Sequence, residues 1–159
     1  MLRWKDERLG NISAEVFIPL SEREGLQEDV TLFVINHAIR EFIHTAIQNE
    51  IFLSVNINPS DLDSEKFRDK LLGLISEYNI PYKTILLEIT ERQGGDFEGM
   101  KIHIDKYKNH GVRFAIDDFG TGYSNLNLVA ALDVDEIKID KSLTSAIGTE
   151  SLRYDLLPG

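Results

Sequence analysis

The sequence predicts an α/β fold built from parallel strand–helix units. Three observations predict it. From residue 51 onward, short β-branched runs alternate with amphipathic stretches of helical period. The strand runs are apolar nearly throughout, as expected for strands covered on both faces. Strand, helix, strand, helix in this order is the signature of a parallel sheet with right-handed crossovers.

The elements follow in order. Leu2 to Lys5 reads as the tail of a strand, and residues 11–29 as loop and a short turn, with Pro19 and Gly25 as breakers. Val30 to Gln48 predicts a long helix, with Leu32, Ile35, Ile39, Phe42 and Ala46 at helical spacing. Ile51 to Ile57 reads as a strand. Ser64 to Tyr78 reads as a helix with Phe67, Leu71, Ile75 and Tyr78 on one face. Ile85 to Ile89 is the next strand, and Phe97 to Lys108 a helix with Met100, Ile104 and Tyr107 aligned. Val112 to Ile116 is a strand. Ser124 is placed to cap a short helix to about Ala131, Val134 to Ile139 is a strand, and a last helix begins near Ser142.

Composition narrows the function. The chain has 159 residues, of which 42% are hydrophobic, enough for one domain with a core. It has no repeat or linker, so residues 1–159 are expected to form a single domain. No apolar run could span a bilayer, and the N-terminus lacks the apolar region of a signal peptide. The absence of cysteine excludes disulfides and thiolate metal sites and fits a reducing, cytoplasmic setting. A formal net charge of -10 does not draw a DNA or RNA duplex, but a small phosphodiester can bind carboxylates through divalent ions.

Chemistry in parallel α/β folds sits at the carboxyl ends of the strands. There the first full strand ends in Asn56, Asn58 and Pro59, and the second carries Glu88 and Thr90-Glu91. The third ends in Asp117-Asp118 followed by Phe119-Gly120-Thr121-Gly122, and the fourth carries Lys138 and Asp140. Oxygen donors from Asn, Asp and Glu suit Mg²⁺, Mn²⁺ or Ca²⁺. Adjacent aspartates fit a paired-metal site, and a nearby lysine can steady a phosphoryl oxygen or an attacking water. Each residue also has a plainer reading: Asp117-Asp118 as a cap and turn, Asn58-Pro59 as a turn pair, Lys138 as a snorkelling side chain. The joint pattern favours function, because Glu88 and Asp117 interrupt or end buried strands, where an unpaired carboxylate is costly. No histidine lies at a strand end. His37 with His44, and His103 with His110, read as surface or packing residues.

These same residues carry a family resemblance. Ser54-Val55-Asn56-Ile57-Asn58-Pro59 resembles the SVNLSP motif of EAL domains, bacterial phosphodiesterases of cyclic di-GMP. Leu87 to Glu91 is similar to their LEITE motif, Asp117 to Ser124 matches DDFGTGYS, and Asp135 to Asp140 resembles DKLKID. Phe17 to Leu20 with Gly25-Leu26 is similar to FIPLAEETGL, and Arg3-Trp4 to the end of EALLRW. The resemblance implies a modified (β/α)8, TIM-barrel-like fold and hydrolysis of cyclic di-GMP to the linear dinucleotide with two divalent ions, Mg²⁺ or Mn²⁺. It implies that Asn56, Glu88 and Asp117 bind one ion, with Asp117 bridging to a second beside Asp118. Lys138 would contact the phosphate or the nucleophilic water, Glu91 would hold the loop after Asp118, and Arg3 would contact a substrate phosphate. Gly94-Gly95-Asp96-Phe97 resembles the GGDEF signature of diguanylate cyclases, but it opens a helix and Glu98 is out of register, so Asp96 reads as a helix cap.

The resemblance also sets expectations about extent. The family's name-giving Glu would align just before Met1, and nothing after Ser145 resembles the late AEGVE and QGY strands. The expectation is therefore a domain cut at both ends, with about five of eight strands, where a closed barrel takes about 200 residues or more. Such a sheet is expected to be open or completed by self-association, as a homodimer for example. Lacking two acids of the metal site, the chain is expected to show no appreciable hydrolysis by itself. The alternatives are a catalytically inactive EAL-like module that binds cyclic di-GMP or a protein partner, and a bare scaffold that at most binds Mg²⁺.

Overall fold

The structure, a computed structural model, describes residues 3–90, 97–120 and 126–146. Its centre is a four-stranded parallel sheet: β3 (Leu53–Asn56), β4 (Ile85–Thr90), β5 (Arg113–Phe119) and β6 (Glu136–Ile139), paired in that order. Each strand lies beside its predecessor in the chain. This is the winding of barrel-type (β/α) folds, whereas doubly wound sheets reverse direction at a switch point.

The pairing register sorts the strands into two faces. Val55, Leu87 and Phe114 are cross-strand neighbours, and all three belong to the buried apolar cluster. One residue further on, Asn56, Glu88, Ala115 and Glu136 form a row on the opposite face. The apolar face is covered by helices: α2 (Gln27–Gln48), α4 (Glu65–Glu77) and α5 (Phe97–Lys108) supply Ile35, Ile39, Leu71, Ile75, Ile104 and Tyr107 to the core. Truncating one such residue, Leu71→Ala for instance, would cost about 2–5 kcal/mol.

Helix α4 shows how locally the fold is encoded. Ser64 caps it, its Oγ accepting from the Phe67 N–H at 3.1 Å. Phe67, Leu71 and Ile75 recur every four residues and are fully buried. The helix stops at Tyr78, and Asn79 follows in the left-handed region at φ 50°.

Before the parallel sheet, the chain forms more structure than its breakers suggest. β1 (Arg3–Asp6) pairs antiparallel with β2 (Gly10–Ser13) in a separate two-stranded sheet. Residues 14–23, expected to be loop, form α1 (Ala14–Arg23), with Pro19 inside it. Pro19 removes the bond that would reach the Glu15 carbonyl. The helix persists because Phe17 and Ser21, one turn apart, are both buried, and the Ser21 hydroxyl donates to the Ile18 carbonyl at 2.7 Å. Gly25 stops it as expected. At φ 69° its N–H bonds the Glu22 carbonyl, and the Leu26 N–H bonds that of Ser21, a Schellman closure.

Two further expectations shift. The long helix begins at Gln27 and not at Val30. Phe42, expected on its buried face, is 56% exposed, and Ile43 is buried instead. Leu32, Ile35, Ile39 and Ile43 advance by three, four and four residues, which holds the stripe on one face. The remaining helices are α3 (Pro59–Asp63), α6 (Leu126–Leu132) and α7 (Lys141–Ala146). The caps expected at Asp96 and Ser124 lie outside the described residues.

Candidate metal and phosphodiester site

The row Asn56, Glu88, Ala115, Glu136 runs from the last residue of β3 to the first of β6, and the next level toward the carboxyl ends carries Thr90 and Asp117 as a register pair. Asn56, Glu88 and Asp117 therefore share one face at the carboxyl end of three adjacent strands. Lys138 joins them from β6, because it is two residues past Glu136 and so on the same face.

A bulge completes the arrangement. Ile116 pairs with Ile137, but Phe119 pairs with Ile139, so Asp117 and Asp118 together oppose the single residue Lys138. The extra residue is accommodated by Asp118 at φ 55°, a left-handed conformation that aspartate tolerates better than most side chains, and by Gly120 at φ 102°. Two consecutive aspartates thus stand opposite one lysine in the register at the strand end.

Glu88 is 4% exposed and lies in a strand that is buried from Ile85 to Ile89. Its Oε1 takes an ion pair and hydrogen bond from Lys138 Nζ, which reaches across the whole of β5. The β5 residue beside Glu88 in the register is Ala115, whose methyl group leaves room for this crossing, which runs diagonally because Lys138 stands opposite Asp117-Asp118. A charged-pair partner is what a buried carboxylate requires.

Asn58 takes the plainer of its two readings. It caps α3 in a reciprocal capping box, its side chain accepting from Ser60 N–H, while Asp61 accepts from the Asn58 N–H at 3.4 Å. Asp140 likewise caps α7, accepting from the Ser142 N–H at 2.8 Å, and hydrogen bonding from the Ser142 side chain, then from its N–H, holds the carboxyl below the usual range. His37 stacks on Phe33, His110 lies against Tyr82, and His103 faces Asp63 at 3.5 Å, all away from the strand ends.

Asp61 is the residue that sequence reasoning missed. It is 3% exposed and accepts from Gln27 Nε2 and Thr31 Oγ1, both at 3.1 Å, so it ties α2 to the turn that follows Asn56. Burial pushes its carboxyl up, against the opposing effect of these hydrogen bonds. The only hint in the sequence is Asp three residues after Asn58, the spacing of a capping box. Above this network, a cavity of about 300 Å³ is lined by Gln27, Thr31, Asn56, Asn58 and Thr90, among others. A larger cavity of about 450 Å³, walled mainly by Trp4, Phe17, Leu20, Leu26, Val30 and Phe33 with Glu24 at its lining, is largely apolar and holds none of the strand-end carboxylates.

Of the remaining expected site residues, Arg3 stands in β1 with its side chain outside the described part, and Glu91 lies outside the described residues altogether. Among the described residues no three His, Cys, Asp or Glu side chains converge tightly enough to chelate an ion. The donors instead line one sheet end. An amide and carboxylates, with no sulfur or imidazole, fit a hard divalent cation in chemistry.

A singly wound parallel sheet with carboxylates and a lysine at its strand ends defines a (β/α)-barrel-type protein with a candidate phosphodiester site. The comparisons make the class specific: the family model for the EAL domain matches residues 1–157, and the chain belongs to the EAL domain family. It is 35% identical over 148 residues to "Probable cyclic di-GMP phosphodiesterase PdeB" of Escherichia coli, covering 92% of this chain and 29% of that protein. It is 31% identical over 146 residues to "Cyclic di-GMP phosphodiesterase PA2567" of Pseudomonas aeruginosa, covering 91% and 25%. The chain thus spans less than a third of the length of these relatives. Among solved structures it is similar to a PaMucR phosphodiesterase in complex with c-di-GMP, with a TM-score of 0.82 at 26% identity over 95% of this chain and 62% of that one. The FimX EAL domain from Pseudomonas aeruginosa, bound to c-di-GMP, superposes with a TM-score of 0.80 at 20% identity over 92% and 60%, a likeness of fold. No helix among the described residues is long and apolar enough to cross a membrane.

Proposed function

We propose that this chain acts in cyclic di-GMP signalling as an EAL-type phosphodiesterase unit, with its site at the carboxyl end of β3 to β6. The observation that carries the reading is the shared face of Asn56, Glu88, Asp117 and Lys138, with the bulge setting Asp118 beside Asp117. The names of the relatives, cyclic di-GMP phosphodiesterases, support the substrate class.

In this reading Asn56, Glu88 and Asp117 would hold one Mg²⁺ or Mn²⁺, and Asp117 with Asp118 would help hold a second. Such ions would supply Lewis acidity at the phosphodiester oxygens and neutralise its charge. Lys138 Nζ donates to a phosphate oxygen or to the attacking water, where negative charge develops. Water oxygen bonds to phosphorus, the bond from phosphorus to the ribose 3′ oxygen breaks, and that oxygen leaves with a proton as the linear dinucleotide forms. Arg3 contacts a phosphate, and Glu91 holds the loop beyond Asp118. The setting is the cytoplasm, where a second messenger of this kind is met. Self-association is a further part of the proposal. Ile137 and Ile139 of β6 are 42% and 54% exposed, and light scattering at rising concentration is expected to show a species above monomer mass.

The test is calorimetric titration of cyclic di-GMP with Mn²⁺ or with chelator, followed by chromatography of the nucleotide. Metal-dependent binding of cyclic di-GMP, with no appreciable linear dinucleotide formed by this chain by itself, is the expected result. Rapid formation of the linear dinucleotide would contradict the expected lack of turnover, and no binding with metal present would overturn the reading.

A further inference from the structure

The Glu88–Lys138 pair carries a consequence for how the site takes up metal, and it rests on the reading of Glu88 as a metal ligand. Glu88 and Lys138 stand on strands two apart, a separation of roughly 9–10 Å between backbones. Both side chains must extend toward each other across β5, past the small Ala115 beside Glu88, to meet, and they do. The glutamate end is buried, whereas 41% of the lysine side chain is exposed. The pair is therefore asymmetric: Glu88 is fixed in the strand, and Lys138 is a flexible stem that can leave.

The same Oε1 cannot serve an ammonium and a divalent ion at full strength. We propose that Lys138 is an exchangeable internal counter-ion, which neutralises Glu88 in the metal-free protein and is displaced from it when a divalent cation binds. The buried carboxylate is then compensated in both states, first by Lys138 and then by metal. Displacement sends the ammonium back toward Asp117 and Asp118, the two residues opposite Lys138 in the bulge. Metal uptake and release of the lysine toward the phosphodiester are in this way one event. The competition also lowers the metal affinity of the free protein, because every ion bound must expel a charge of its own sign.

The experiment measures Mn²⁺ binding without nucleotide, by electron paramagnetic resonance of free Mn²⁺, for the wild type, Lys138→Met and Lys138→Arg, well above the ordinary carboxylate pH range. Lys138→Met is expected to bind Mn²⁺ about tenfold more tightly than the wild type, and Lys138→Arg to stay near it. A second readout uses the unaltered chain, so it does not depend on a variant folding: mild acetylation mapped by mass spectrometry is expected to modify Lys138 faster in saturating Mg²⁺ than in chelator. If the wild type binds Mn²⁺ while Lys138→Met binds no more tightly and acetylation of Lys138 is unchanged by Mg²⁺, the exchange is overturned although the metal site stands. If none of the three proteins binds Mn²⁺, the metal site itself fails and the inference falls with it.

Discussion

The two ends of the parallel sheet both carry charge, and they handle it in opposite ways. At the amino end of β5, Arg113 bonds Glu136 at 3.0 Å and approaches Asp135 at 3.8 Å, while Lys108 reaches Asp133 at 3.2 Å and Asp135 at 3.8 Å. Every acid of that group has a cation beside it, most of the group meets solvent, and the Arg113 guanidinium lies 4.1 Å over the Phe52 ring. At the carboxyl end, Glu88 is buried, its ion pair spans a strand, and Asp117 and Asp118 are forced together by a bulge. The first group is a rim network of the kind that adds little to stability. The second stores charge where desolvation makes it expensive, and expense of that kind marks function. The difference, more than the presence of acids, singles out the carboxyl end.

The sharpest way to break the comparison is Lys138→Met. It leaves Glu88 buried without its cation and should cost about 2 kcal/mol, less than the 3–5 of a fully buried pair because Lys138 is partly exposed. Urea denaturation in chelator measures it, and a cost near zero would make the two ends alike. At the other end, Arg113→Met should cost under about 1 kcal/mol, and less at high salt. A larger, salt-independent loss there would remove the contrast.

Asp61 tests the floor of the site through pH. Its folded-state pKa is raised above the ordinary 3.8 chiefly by burial. A carboxyl so raised contributes stability that is fully present below the unfolded value and is lost as pH rises through the folded one. The stability difference between the wild type and Asp61→Asn should therefore favour the wild type most at low pH and shrink as pH climbs from about 3.8 through that raised value. Denaturant melts across this range check the sign, and a difference that widens with pH would contradict it. The smallest effect is expected at Tyr107, whose hydroxyl is buried with no hydrogen-bond partner among the described residues, and whose phenol burial pushes far up. Tyr107→Phe removes an unpaired polar atom and should be neutral or stabilising, by at most about 1 kcal/mol. A clear loss of stability would mean the hydroxyl has a partner.

Much of this was legible beforehand, and what was not has physical reasons. Helix α4 was readable because its cap, its four-residue apolar spacing and its stop are all local. Strand ends were readable because polar residues break apolar runs there. The bulge at Asp117-Asp118 was not, since an extra residue appears only when two strands are aligned. The Glu88–Lys138 pair was hidden for the same reason, as it depends on the register of three strands and on Ala115 being small. Helix α1 was obscured by Pro19, a breaker overruled by the burial of Phe17 and Ser21. Beyond the capping-box spacing after Asn58, the role of Asp61 was hidden because its partners lie some thirty residues away on α2.

The most direct test of the central claim is one calorimetric series: cyclic di-GMP titrated, with saturating Mn²⁺, into the wild type, Asp117→Ala and Arg113→Met. Metal-dependent binding is expected for the wild type and for Arg113→Met, with a loss of at least about tenfold in affinity for Asp117→Ala. Equal binding by Asp117→Ala and the wild type, or loss in Arg113→Met alone, would contradict it and move the site away from the carboxyl end of the sheet.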